Sequence, residues 1–174
     1  MWIIVALELV AFAVVLALIA WVRATQPDVF RAGQAALSTG TGLALTLALL
    51  TSGWLAAEAV HAWRSGVVER ARKMFGAAIA TGLVFVALKV ADFAVKIRAG
   101  YGLGTDDFWD AYMIGTGFHF AHVLVGLGLL GWVGVRLGRA RFEDEETAVA
   151  GSALFWHMCD VAWFFLFPLF FARS

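Results

Sequence analysis

The chain has 174 residues, of which 62% are hydrophobic, and its mean hydropathy is +0.84. Soluble domains usually contain roughly 45–50% apolar residues, so this composition indicates a membrane protein. Thirteen basic and thirteen acidic side chains give a formal net charge of zero at pH 7, which offers no basis for nucleic-acid binding. The single cysteine, Cys159, leaves no disulfide framework within one chain and no thiolate metal site.

Five apolar stretches approach or exceed the roughly 20 residues that a helix needs to cross a bilayer. The first lacks the basic region of a signal peptide and is too long for a signal core, so we expect it to be retained. The fold class that we predict is an all-α integral membrane bundle, a single domain over residues 1–174. Its five transmembrane helices are expected at about 2–22, 35–63, 74–95, 111–135 and 149–171. The segment between the first two helices is expected to be a short polar loop.

The basic residues of the connecting segments predict the orientation of the bundle. Seven lysines and arginines, Arg141 among them, fall on the side of the N-terminus, and five, including Arg173, fall on the other side. Basic residues favour the cytoplasmic side of a membrane. We therefore expect the N-terminus to be cytoplasmic and the C-terminus to lie outside.

Ionisable residues inside the predicted spans need an explanation, because each costs roughly 2.5–3.5 kcal/mol on insertion scales. Glu8 lies about two turns inside the first helix, and we expect it to be protonated or paired unless water reaches it. Lys89 and Asp92 in the third helix are three residues apart, close enough for an ion pair. Glu58 and His61 share a face near the end of the second helix, where contact with water is the simplest interpretation.

The last two helices each carry a polar pair three residues apart: His119 with His122, and His157 with Asp160. Residues at this spacing lie on one face of a helix, and ionisable groups in a membrane normally face the bundle interior. With the N-terminus inside, the first pair falls in the same half of the membrane as Lys89. We therefore expect the third and fourth helices to share these polar groups.

Three chemical interpretations of these side chains remain open. The first is haem ligation by His119, His122 or His157, although histidines one turn apart cannot reach opposite faces of one macrocycle. The second is a metal centre built from the two polar pairs. The third, which we favour, is that the groups tie helices together through hydrogen bonds worth roughly 0.6–2 kcal/mol each. A subset would then handle protons or hold a lipid headgroup.

Four motifs together resemble subunit III of the haem-copper cytochrome c oxidases. The sequence GFHFAHV at residues 117–123 is similar to the family pattern TGFHxxHV, and WHMCDVAWFFLF at 156–167 to WHxxDxxWxxxF. LELVAF at residues 7–12 is similar to the family helix that bears a membrane-embedded glutamate. LTSG at residues 50–53 is similar to the LTSG sequence in the next helix of the family.

The resemblance covers nearly the whole chain but only the last five of the seven helices of a full-length subunit III. Five-helix forms of this kind resemble the accessory protein of bacterial nitric oxide reductase and some short oxidase subunits. The two absent helices form one arm of a lipid-holding cleft in the family. A second departure lies in the third helix, where the family often has Gln followed by Glu-Tyr and this chain has Lys89 and Asp92-Phe93.

The resemblance implies a non-catalytic accessory subunit in a bacterial cytoplasmic membrane, with no catalytic or metal-binding residues of its own. Haem and copper are expected in the partner, the catalytic subunit of a haem-copper oxidase or nitric oxide reductase, and a phospholipid is expected to bind. The resemblance implies that the accessory subunit supports the assembly, stability or proton uptake of the catalytic subunit. The residues that match family positions are expected to be structural or proton-handling: Glu8, His119, His122, His157 and Asp160. We give Lys89 and Asp92 the same roles.

An alternative from another class is an independent membrane protein that binds its own haem or metal through His119, His122 and His157.

Overall fold

The computed structural model of the chain describes residues 2–139 and 142–172. Six helices follow one another: α1 (Trp2–Thr25), α2 (Pro27–Ala36), α3 (Thr39–Arg64), α4 (Val68–Arg98), α5 (Asp107–Arg136) and α6 (Glu145–Phe171). All of them except α2 are long and apolar enough to cross a membrane, which confirms the predicted all-α bundle with five spans. Arg141 and Arg173, which entered the charge count, lie outside the described residues.

The prediction of a polar loop after the first span was wrong, because Pro27–Ala36 forms the helix α2. Pro27 suits the first turn of a helix, where its missing N–H would have had no partner in any case. Phe30 and Gln34 are buried, whereas Asp28 and Arg31 are exposed. A search for long apolar runs passes over such a segment, since a short amphipathic helix has a low average hydropathy. The next helix consequently begins at Thr39, not near residue 35.

The spanning helices also extend beyond their apolar cores. The third span, predicted at 74–95, is the centre of α4, which continues into charged residues at both ends.

Asp144 caps α6 by accepting a hydrogen bond of 3.0 Å from the Thr147 amide. Hydrogen bonds from the Thr147 hydroxyl and amide hold the pKa of Asp144 below its ordinary value of 3.8, so the cap stays ionised at neutral pH.

Helix α6 lies at the centre of the bundle. It packs against α1, α3 and α5, while α4 packs against both α3 and α5. Half of the apolar section of α6 is buried, compared with 17% of that of α1. Trp156 of α6 fits between two glycines, and a Cβ added to Gly126 or Gly82 would lie only 2.8 or 3.1 Å from its ring. The two glycines therefore leave room for the Trp156 ring, and Gly126 allows α5 to pack closely against α6.

The two ends of the bundle are defined by the contacts between helix termini. At the end that we call the N-terminal end, Arg64 of α3 forms an ion pair with Glu146 of α6. At the opposite, C-terminal end, the Gln34 amide of α2 donates to the carbonyl oxygens of Leu169 and Ala172, at 3.0 Å each. Helix α2 thus fastens the end of α6, and the polar side chains between these two ends lie at membrane depth.

Candidate functional site

The polar side chains within the bundle form three groups, which we name by their helices. The α4–α5 cluster consists of Lys89, Asp92, Lys96 and Tyr112. The α1–α5 pair consists of Glu8 and His122, and the α6 dyad consists of His157 and Asp160. His119 forms a separate link between α5 and α6.

The α4–α5 cluster is a closed network of hydrogen bonds around one carboxylate. Lys89 Nζ donates to Tyr112 Oη at 2.8 Å and to Asp92 Oδ2 at 3.2 Å. The Tyr112 hydroxyl donates to the same Asp92 oxygen at 2.6 Å, and Lys96 forms an ion pair with the other carboxylate oxygen. Lys89 is 0% exposed. The carboxylate and the phenol together satisfy an amine that would otherwise be buried without partners.

Aromatic rings surround the buried Lys89 amine. Its Nζ lies 4.3 Å from the centroid of the Phe93 ring, 4.5 Å from that of Tyr112 and 5.9 Å from that of Trp163. The faces of such rings attract a cation most strongly where water is excluded. Helices α4, α5 and α6 therefore each contribute a ring around one charge.

Two members of the α4–α5 cluster were not among the predicted site residues. Lys96 lies one residue beyond the predicted third helix, although its spacing of four residues from Asp92 is a local signal for an ion pair. Tyr112 gave no local signal, because its partners lie 20 and 23 residues earlier on another helix.

The α1–α5 pair joins two titratable side chains at hydrogen-bond distance. His122 Nδ1 lies 2.8 Å from the Phe118 carbonyl oxygen, which can only accept, so this nitrogen carries a hydrogen. His122 Nε2 lies 3.0 Å from Glu8 Oε2. The contact between them is satisfied by imidazolium with carboxylate or by imidazole with carboxylic acid, and both forms contain one proton between the two atoms. The Glu8 side chain is 33% exposed on the face of the bundle formed by α1.

His119 links α5 to α6 and is fully buried. Its Nε2 lies 3.0 Å from the Cys159 carbonyl oxygen and must donate to it. The expectation that the third and fourth helices share both histidines was wrong, because His119 bonds to α6 and His122 bonds to α1. Residues three apart on a helix differ by about 60° in direction, which is enough to face different neighbours.

The α6 dyad lies against α3. His157 Nδ1 is 3.0 Å from Asp160 Oδ2, and a Cβ added to Gly53 of α3 would overlap this carboxylate. The other oxygen, Asp160 Oδ1, is buried and has no hydrogen-bond partner among the described residues. The His157 side chain is 41% exposed, whereas that of Asp160 is 11% exposed. The dyad therefore presents its imidazole outward and keeps its carboxylate inside.

The donor sets do not fit a haem or metal centre well. Across residues 2–139 and 142–172, no three His, Cys, Asp or Glu side chains come together as a metal-sized group. His119 Nε2 and both nitrogens of His122 already contact protein oxygens, so coordination would require breaking those bonds. In the α6 dyad, His157 Nδ1 already contacts Asp160 Oδ2 at 3.0 Å, which leaves His157 Nε2 as the one ring nitrogen of this residue for a ligand. Glu58 and His61 lie near the surface, and Glu58 pairs with Arg70 at 3.4 Å.

The fold and these polar groups define the class of the protein, a multi-pass helical membrane protein whose buried polar side chains bond to one another across the bundle. Residues 32–173 match the family described as Cytochrome c oxidase subunit III. The chain belongs to this family.

Three relatives illustrate the similarity. A quinol oxidase subunit 3 of Bacillus spizizenii is 27% identical over 71% of this chain and 61% of its own length. A cytochrome c oxidase subunit 3 of Thermostichus vulcanus is 33% identical over 71% of this chain and 61% of its own. One of Corynebacterium diphtheriae is 30% identical over 75% and 64%. The chain thus spans less than two thirds of the length of these relatives.

Proposed function

We propose that this chain is a non-catalytic accessory subunit of a haem-copper oxidase, residing in a bacterial cytoplasmic membrane. The observation that carries the proposal is the family match over residues 32–173. The arrangement of the buried polar groups supports it, because they bond mainly within the bundle and so suit a scaffold better than a reaction centre. Haem and copper belong, in this proposal, to the catalytic partner subunit, and nitric oxide reductase is the other candidate partner.

The α1–α5 pair is the group best suited to a proton-related role. It lies on the least buried spanning helix and keeps one proton between Glu8 and His122 in either of its forms. A docked catalytic subunit that changes the local field would move this proton between the two atoms without changing its number. The α4–α5 cluster has no comparable exposure, so we assign it a structural role.

A bound phospholipid is also part of the proposal. A groove of about 550 Å³ runs between α1 and α6 toward the C-terminal end of the bundle. Leu16, Ala17, Ala20 and Phe165 give it apolar walls, and Arg23, which also donates to the Leu169 carbonyl oxygen at 3.2 Å, lies at its edge. Acyl chains suit the walls, and a phosphate suits an arginine at the membrane boundary. Native mass spectrometry of the purified chain should detect a phospholipid, and Leu16→Trp, which narrows the groove, should reduce its occupancy.

Co-purification tests the main proposal. The affinity-tagged chain, extracted in a mild detergent, should bring down a catalytic subunit that shows haem absorption and consumes oxygen. Peptide mass spectrometry identifies the partner, and reduction of nitric oxide in place of oxygen would identify the reductase. After dissociation, the isolated chain should show no Soret band. A Soret band that survives stringent washing would instead favour an independent haem protein using His119, His122 and His157.

A further inference from the structure

A cavity of about 530 Å³ opens at the N-terminal end of the bundle, between α1, α3 and α6. Of the twelve lining residues, six are small or aliphatic, five are polar and one is Trp2. The lining residues that matter here are Trp2, Ala57, His61, Arg64, Glu146 and His157. Neither the α1–α5 pair nor the α4–α5 cluster contributes to it, so the cavity is separate from both groups and from the groove beside Arg23.

The imidazole of the α6 dyad is the deepest polar group of this cavity. Asp160 fixes one ring nitrogen of His157, at 3.0 Å from Nδ1. No hydrogen-bond partner is found for Nε2 among residues 2–139 and 142–172, and the side chain is 41% exposed. An ionised Asp160 accepts the Nδ1 hydrogen, and a neutral imidazole then carries its lone pair on Nε2. In this form the dyad offers an oriented hydrogen-bond acceptor to the cavity.

The charges around the cavity do not favour an anionic ligand. Arg64, at the mouth, already forms an ion pair with Glu146. Asp160 adds a negative charge behind the imidazole when it is ionised, and His61 is the remaining titratable side chain in the wall. The permanent charges of the lining, Arg64 and Glu146, cancel each other and leave no excess positive charge to bind a phosphate.

The depth of His157 leads to the same conclusion. It lies twelve residues after α6 begins at Glu145, which corresponds to about 18 Å along the helix. The hydrocarbon core of a bilayer is about 30 Å thick, so the acceptor lies well below the headgroups. A phosphate at this depth is very costly, whereas a neutral hydroxyl loses little once it donates a hydrogen bond.

We propose that this cavity binds a neutral amphiphile whose head group donates an O–H hydrogen bond to His157 Nε2, with Asp160 holding the imidazole in place. The tail would lie along the apolar part of the wall. Membrane quinols and diacylglycerols both have this chemistry. The site concerns a ligand of this chain itself and does not depend on which catalytic subunit is its partner.

Binding to the full chain in lipid nanodiscs tests the proposal. Calorimetric titrations would use three probes: a short-tailed benzoquinol kept reduced, dioctanoylglycerol, and dioctanoyl phosphatidic acid. We expect saturable binding of one molecule per chain for at least one neutral probe, with phosphatidic acid at least tenfold weaker. Binding of the quinol alone or of the diacylglycerol alone would identify the source. Binding of neither, or tightest binding of phosphatidic acid, would overturn the proposal.

Two variants test the location of the site. His157→Phe removes the acceptor and should weaken binding at least tenfold, whereas His61→Gln, a change in the same wall, should stay within twofold. Should His157→Phe fail to fold, Ala57→Phe fills the cavity from an exposed position of α3 and should abolish binding. Unchanged affinity in either folded variant would refute the assignment. Co-purification with the catalytic subunit is measured separately, so failure of this proposal leaves the proposed function intact.

Discussion

A carboxylate in a membrane helix is tolerated when a neighbouring side chain forms a hydrogen bond with it. Glu8 Oε2 lies 3.0 Å from His122 Nε2, and His122 in turn contacts the Phe118 carbonyl oxygen. The imidazole thus has a fixed orientation and one face toward α1. The glutamate that the family resemblance places within the membrane therefore has a hydrogen-bond partner on α5.

Glu8→Gln should leave the bundle folded but alter proton-coupled turnover of the assembled complex. The amide can still hydrogen-bond to His122 Nε2, but it cannot exchange a proton with it. The measurement is the rate of proton uptake during turnover of the purified complex, together with circular dichroism of the variant. Glu58→Gln is the matched control, since this carboxylate pairs with Arg70 at the surface. Proton uptake equal to that of wild type in Glu8→Gln would remove the proton-handling role.

Gly53→Ala should destabilise the bundle, because the added methyl would overlap the Asp160 carboxylate. Alanine is favoured over glycine in a helix by roughly 1 kcal/mol, so the overlap must outweigh this gain. Gly76→Ala is the control, since nothing lies within 4 Å of a Cβ at that position. We expect the melting temperature in detergent to fall for Gly53→Ala and to stay level or rise for Gly76→Ala. Equal behaviour of the two would mean that α3 shifts without cost.

The α4–α5 cluster joins two helices that pack against each other within the membrane. Asp92 is its centre, because it accepts from Lys89, Lys96 and Tyr112 at once. Its removal leaves two amines without a counter-charge, whereas removal of the phenol leaves the ion pairs in place. The two changes should therefore differ in cost.

Asp92→Asn should lower the free energy of unfolding by about 3–5 kcal/mol, the usual cost of breaking a buried ion pair. Tyr112→Phe removes one hydroxyl and should cost about 1–2 kcal/mol. Titration with a denaturing detergent, followed by circular dichroism, gives both values. Glu69→Gln on the same helix is the control at about 0–1 kcal/mol, since its ion pairs are exposed. A loss for Asp92→Asn no larger than that of the control would show that the amines are neutral.

The predicted orientation of the whole bundle in the membrane, with its N-terminus in the cytoplasm, can be tested directly. Ser65→Cys and Gly102→Cys place thiols in connections at opposite ends of the bundle, in a Cys159→Ala background that removes the buried native thiol. In intact cells, an impermeant maleimide should label Gly102→Cys, and it should label Ser65→Cys only after lysis. The reverse pattern would place the N-terminus outside and contradict the charge count.

The helical class, the five spans and the family could all be predicted from the amino-acid sequence. Apolar runs of this length have few alternatives in a bilayer, because every backbone polar group must be satisfied within the segment. The polar pairs at a spacing of three residues were also visible, since this spacing depends on helix geometry alone. The short amphipathic helix α2 was not found, because its signal is a periodicity over ten residues and not an apolar average.

The helix to which each polar side chain bonds became known from the tertiary structure alone. His119 and His122 differ by one turn, yet one bonds to α6 and the other to α1. Tyr112 and Gly53 gave no sign in the sequence of their places beside two different aspartates. Such contacts depend on the order and rotation of packed helices, which many distant residues set together, and no local pattern encodes them.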